Sequence, residues 1–263
     1  MALDLPPLRL GSSGAEVGNW QAFLIERGYR DGQGEPLRVD EAFGLRTQQA
    51  SRIWQSGHGL VPDGVIGARS RAVAVPEGFI QFLQARNFTH VPSSRTIDLI
   101  IIHDMEYPET PEGAEWCASF FAAPTAPQAS AHYSVDSNSI VQSVRDGDVA
   151  WHAKGANHNG IGVEHAGYAK QTRAQWLDDY SQRELAISAR LVARLCRLYA
   201  IPIAYVDAAD LRPTSLGARA LRGLTGHRDA TVAFGIVGGH TDPGPNFPWD
   251  VYLQLVRNAG ASA

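Results

Sequence analysis

Residues 97–103, Ile97-Asp98-Leu99-Ile100-Ile101-Ile102-His103, form a nearly continuous apolar run that ends on a histidine. A strand with one wet face alternates apolar and polar side chains, whereas an unbroken run needs cover on both faces. The run therefore predicts a strand inside a sheet flanked by helices. Further strands are predicted at Ile161–Ala166 and on either side of Ser137-Asn138-Ser139, where His132–Asp136 and Ile140–Val144 read as a hairpin. Ser181-Gln182-Arg183-Glu184 reads as a capping box opening a long helix, with Leu185, Ala189, Val192, Cys196 and Tyr199 on one face. The expected class is α/β, with a mixed central sheet flanked by helices.

Upstream the period changes to that of helices. Val17, Trp20, Phe23 and Leu24 share one helical face that closes at Gly28. A second helix is predicted from about residue 45 to 55, presenting Ala50, Ile53 and Trp54, and a short third from Ala68, after a stretch dense in turn formers. We expect a small three-helix domain over residues 1–75, a connecting segment over 76–95 and a larger domain over 96–263. Phe79, Phe82 and Leu83 have helical spacing, so the connection is expected to pack on a domain.

Composition narrows the partners. A net charge of −4 lacks the basic footprint of a nucleic-acid binder. No stretch is apolar for long enough to insert into a membrane. The first residues have no basic start and no apolar core, so no signal peptide is expected. The two cysteines, Cys117 and Cys196, lie in helix-like apolar contexts and are expected as buried thiols. Nothing in the composition argues against a monomer.

Histidine is unevenly distributed. Seven of the nine follow residue 100: His103, His132, His152, His158, His165, His227 and His240. Two histidines and a carboxylate that leave one position open make a catalytic zinc site. A lone histidine is more often a packing or surface residue, so spacing alone does not decide between these readings.

Two sets of motifs carry a resemblance. Leu10-Gly11-Ser12, Gly14-x-Glu16-Val17, Trp20-Gln21-x-Phe23-Leu24, Gly28-Tyr29, Phe43-Gly44-x-x-Thr47 and Val61–Gly67 together resemble the peptidoglycan-binding-like domain. Farther on, Ile100–His103, Ser130-Ala131-His132-Tyr133, Ala150-Trp151-His152-Ala153, Asn157–Glu164, Gly226-His227-Arg228-Asp229 and Thr241-Asp242-Pro243-Gly244-Pro245 follow in order. From about residue 95 onward the chain is similar to the type 2 N-acetylmuramoyl-L-alanine amidases, relatives of peptidoglycan recognition proteins and phage lysozyme-type amidases.

The resemblance implies one Zn2+ ion held by His103, His227 and Asp242, with Glu164 in the place of the glutamate that activates water. Asp229 and His240 are rivals for the third ligand, but only Asp242 lies in the Asp-Pro-Gly-Pro motif. His240 stands where relatives often carry lysine, and an imidazole there can stabilise an oxyanion in a pH-dependent way. His132, Trp151 and His152 are expected to shape the substrate groove, whereas His158 and His165 are expected at the surface or in packing. The implied partner is bacterial peptidoglycan. The implied reaction is hydrolysis of the amide between N-acetylmuramic acid and L-alanine. Without an export signal, the expected role is a phage endolysin that reaches the wall after release; a cytoplasmic wall-recycling amidase is the alternative. A non-catalytic receptor on this fold would lack the third ligand. A muramidase would need a carboxylate pair, and Glu106 and Glu109 have no recognisable partner.

Overall fold

The computed structural model describes residues 3–211, 222–236 and 238–261. Val237, in the long interval between His227 and Asp242, lies outside the described residues. Three helices, α1 (Ala15–Glu26), α2 (Leu45–Gly57) and α3 (Ala68–Ala74), make the N-terminal unit. Its core is aromatic. Trp20 stacks on Phe23 with ring centroids 5.0 Å apart and meets Trp54 edge-on at 5.1 Å. The Trp20 indole N–H is satisfied by Ser51 Oγ at 2.8 Å, as a buried indole requires.

Two buried glutamines hold the loops of this unit. Gln21 accepts from the backbone N–H groups of Asp40 and Glu41 and donates to Asp40, Ala42 and Thr47. Gln55 does the same for the following loop, accepting from Gly64 N–H and donating to Asp63, Val65 and Ser70. Ile53, expected on the core face of α2, is instead 46% exposed. Ala50 and Trp54 fill that face together with the buried Thr47, Ser51 and Gln55.

After two short strands, β1 (Gln81–Phe82) and β2 (Phe88–Thr89), come β3 (Leu99–Asp104), α4 (Gly113–Ala122), β4 (Tyr133–Val135), β5 (Ile140–Gln142), β6 (Val149–Ala150) and β7 (Gly160–His165). The chain then forms α5 (Asp179–Tyr199), α6 (Ala208–Leu211), β8 (Gly223–Gly226), α7 (His227–Ala233) and α8 (Trp249–Ala261). Six strands form one sheet in the order β1-β5-β4-β7-β3-β8. Only the β4–β5 hairpin is antiparallel, so the sheet is mixed. β2 and β6 pair separately.

Alternation along β3 assigns its side chains to two layers. Ile100 and Ile102 join Val163 of β7, Val192 of α5 and Val256 of α8 in the main core. Leu99 and Ile101 point the other way, against Ala153, Ala156 and Ala230. His103 continues that second face.

The segment between the two halves is extended, not helical. Phe79 enters the N-terminal core, the next residue, Ile80, enters the core of the sheet, and Gln81–Phe82 pair in parallel with β5. Serving two cores on successive residues needs a strand-like chain, which the spacing of Phe79, Phe82 and Leu83 did not convey. Asn19 also donates to Gln142 at 3.1 Å, and Arg194 pairs with Glu26 at 3.2 Å.

The start of α5 also differs from the expectation. Its N-cap is Asp178, whose carboxylate accepts from the N–H groups of Tyr180 and Ser181. Glu184 is buried and accepts from Ala166 N–H at 2.6 Å instead of closing a capping box. Cys117 and Cys196 are buried free thiols.

Candidate active site

The sheet places His103 beside Glu164. These residues are register partners on the parallel strands β3 and β7, so their side chains emerge on the same face. On β7 that face otherwise carries glycine, and Gly162 leaves room for the His152 ring, which a Cβ would meet at 2.7 Å. His152 Nδ1 lies 3.0 Å from His103 Nε2. Asn157 fixes the loop from beneath, accepting from the N–H groups of His152 and Ala153.

His227 is the first residue of α7, directly after β8, and its ring centroid lies 4.6 Å from that of His103. Asp242 arrives in the Asp-Pro-Gly-Pro turn. Its carbonyl accepts from Arg228 N–H at 2.9 Å, and a Cβ at Gly244 would collide with the Ala169 carbonyl, so the turn can seat only with glycine there. Asp242 Oδ2 accepts from His103 Nδ1 at 2.9 Å, and Oδ1 lies 3.3 Å from His227 Nδ1. One ligating atom from each of His103, His227 and Asp242 falls within 4.8 Å of the others, so the three can hold a metal ion.

Electrostatics suit that use. Burial pushes the His103 pKa down to about 4, favouring the neutral imidazole that metal ligation requires. Burial opposes ionisation of Asp242, but hydrogen bonds from His103, His227 and His240 outweigh it and hold the carboxyl well below the usual range. Glu164 goes the other way: burial, then the nearby Asp242 and Asp104, raises its pKa well above the ordinary carboxylate value. Two carboxyl groups with opposite shifts in one cavity are suited to opposite tasks.

The remaining candidates are distributed unevenly. His240 is mostly exposed, stacks on His227 at 4.2 Å and has its pKa raised by Asp242. Asp229 turns away: its carboxylate accepts from Gly226 N–H at the start of α7 and from the Tyr205 hydroxyl. Trp151 lines the cavity and donates to Thr89 Oγ1. His132 does not line it. That ring is fully buried behind His152, with Nδ1 accepting from Gly162 N–H. His158 is exposed, while His165 is buried between the His103 carbonyl and Ser188 Oγ.

Two residues here had not been singled out from the sequence. Asp104 lines the cavity next to His103, and burial followed by the Asp242 charge raises its pKa to about 8. Arg95 stitches the loop before β7, donating to the carbonyls of Asn157, His158 and Gly160. Asp104 had a signal in its position at the end of the apolar run; Arg95 had none. The cavity over the cluster measures about 700 Å³.

Fold and site define an α/β enzyme with an open cavity over a three-residue cluster able to hold a metal ion. The N-acetylmuramoyl-L-alanine amidase family matches residues 93–245, and the putative peptidoglycan binding domain matches residues 13–73. N-acetylmuramoyl-L-alanine amidase A of Achromobacter lyticus is 29% identical over 186 residues, 68% of this chain and 93% of that protein. Among solved structures, the Staphylococcus aureus hydrolase AmiA in complex with its ligand is 17% identical. That match covers 69% of this chain and 82% of AmiA, at a TM-score of 0.49. An AmpD derivative is 19% identical over 67% of this chain and 94% of its own, at a TM-score of 0.48. The chain belongs to the N-acetylmuramoyl-L-alanine amidase family, and it carries a peptidoglycan-binding domain at its N-terminal side.

Proposed function

We propose that this amidase is zinc-dependent, that His103, His227 and Asp242 hold the ion, and that Glu164 moves the proton. The observation that carries this reading is the convergence of those three ligating groups within 4.8 Å beside a buried glutamate. A zinc ion bound there supplies a Lewis acid that polarises the scissile carbonyl and lowers the pKa of a water molecule. The chain's own residues supply the rest. Glu164, held in a low-dielectric pocket, takes a proton from the attacking water on its carboxylate and returns it to the nitrogen of the departing L-alanine. His152 holds His103 through Nε2, and His240, at the cavity mouth, donates to the oxygen that gains charge. Trp151 forms part of the groove wall, and His132 supports it from behind. In domain terms, residues 1–75 bind the wall, 76–95 connect, and 96–263 carry the chemistry.

Chelation is expected to abolish hydrolysis and zinc to restore it; full activity in protein shown by elemental analysis to be metal-free would overturn the zinc reading. The biological role we propose is an endolysin, acting on the wall as a monomer. Support comes from a binding domain suited to polymeric wall and from the absence, among the described residues, of a helix long and apolar enough to cross a membrane. Expressed inside a bacterium, the protein should lyse the cell only when a membrane-permeabilising agent is added. Unchanged culture density after permeabilisation, with active enzyme present, argues for wall recycling instead.

A further inference from the structure

One wall of the cavity carries two aromatic rings, Trp116 and Phe120, that the proposed chemistry does not use, and a third, Tyr107, extends their row. Trp116 and Phe120 are four residues apart on α4 and so share a stripe of the helix. Their centroids are 5.4 Å apart with planes inclined by only 7°. Tyr107 stacks on Trp116 at 3.8 Å and 13°. The row is held from behind. Ala114 and Ala118, on the opposite stripe of α4, pack on Val141 with Leu3 and Leu83. Tyr107 exchanges two backbone hydrogen bonds with Gly167, at 2.9 and 3.1 Å.

Trp116 and Phe120 nevertheless stay 38% and 44% exposed, and both line the cavity. Large rings fixed in an open row beside a reaction centre are apolar surface withheld from the core, which marks a binding wall. Charge indicates what binds there. Glu106 lines the same cavity, and Lys154 is its only lysine or arginine among the described residues. Lys154 lies in the loop whose Ala153 and Ala156 pack with Ala230 of α7, whereas Cys117 and Phe121 of α4 belong to a separate cluster. The stem peptide of peptidoglycan carries free carboxylates, which the exposed Glu106, next to Tyr107 in the chain, repels and Lys154 attracts. The sugars flanking the amide are uncharged. Their C–H faces suit aromatic rings, and their hydroxyls can donate to a carboxylate such as the exposed Glu106.

We propose that Trp116 and Phe120, with Tyr107 stacked behind Trp116, form the saccharide wall of the active site, with the stem peptide directed towards Lys154. The proposal rests on the active-site reading above and assigns the side of the cavity on which the glycan lies.

The test uses full-length zinc-loaded enzyme and soluble substrates with one, two or four sugars on a fixed stem peptide, and a parallel set with one sugar and stems of increasing length. In the unaltered enzyme KM should fall as sugars are added. Trp116→Ala and Phe120→Ala should remove that gain, raising KM for the four-sugar substrate by about 10-fold, the scale of one lost aromatic contact. Trp116→Phe, which keeps a ring, should recover most of it, and kcat should move by no more than roughly 2-fold because these rings touch no reacting atom. Thermal melts establish that the variants are folded. An unchanged dependence on sugar number in folded variants overturns the proposal. A loss that follows stem length instead also overturns it and assigns the wall to the peptide. Turnover of Glu164→Gln tests the catalytic reading separately, so the two can fail independently.

Discussion

Residue by residue, the site divides into positions that chemistry specifies and positions that packing specifies. His103, His227, Asp242 and Glu164, which the fold brings together, could be singled out because strand ends, the Gly-His-Arg-Asp turn and the Asp-Pro-Gly-Pro turn leave marks in the sequence. Asp229 competed with Asp242 only while the start of α7 was unseen; there its carboxylate is occupied by Gly226 N–H and Tyr205. Asp242→Ala should therefore weaken zinc binding strongly in a competitive chelator titration, whereas Asp229→Ala should leave zinc affinity intact and lower Tm. Stronger metal loss from the Asp229 variant would reverse the ligand assignment. Glu164→Gln should retain zinc and the fold while kcat falls by about 10²–10⁴-fold, the contribution of a positioned general base. Near-normal turnover with zinc bound would remove Glu164 from the mechanism. Asp104, at the end of the apolar run, could have been singled out, whereas Arg95 could not, because its role depends on which loops the sheet brings beside it.

Among the elements, periodicity conveyed type better than ends. The buried run became β3 and the long amphipathic stretch became α5, since both patterns are set by burial along the element itself. The cap of α5 was misplaced because Asp178 lies three residues before Ser181, both can cap a helix, and only the fold shows that Asp178 is the one meeting the free N–H groups. Asp178→Ala should cost about 1 kcal/mol, read from denaturant unfolding, as loss of an N-cap does. Glu184 should behave differently. Burial raises its pKa well above its usual value near 4.5. Below that usual value both states hold the proton. Above it the unfolded chain releases the proton while the folded chain keeps it, so stability falls as pH rises until the folded pKa is passed. Glu184→Gln keeps an oxygen for Ala166 N–H and has no proton to lose. Its Tm relative to the unaltered protein should rise steadily between about pH 5 and pH 8. A difference that does not change with pH would show that Glu184 is already ionised in the fold.

At the scale of the whole molecule, the two halves share structure. The aromatic core of the N-terminal unit is completed from outside it, by Phe79, whose ring meets Trp20 at 5.2 Å and Phe23 at 5.8 Å. One residue later the chain is in the other core. A cut at residue 75 therefore removes a wall of the smaller core, although His103, Glu164, His227 and Asp242 all lie beyond residue 100. Deletion and core damage should thus separate chemistry from stability. A fragment starting at residue 76 should keep kcat on a soluble muramoyl-peptide close to the full-length value, melt at lower temperature because Phe79 is stripped of its partners, and cleave intact sacculi more slowly because nothing tethers it to polymeric substrate. The isolated N-terminal unit should fold measurably better when it ends after Phe79 than when it ends at residue 75. In the full chain, Phe79→Ala should destabilise that unit by about 3–5 kcal/mol, the cost of emptying a buried aromatic site. Unfolding should then occur in two transitions, with wall binding lost at the lower one and amide hydrolysis at the upper. A single transition in which both activities vanish together would mean that the extended connection makes the two halves one cooperative body, and the fragment starting at residue 76 would then be unfolded as well as untethered.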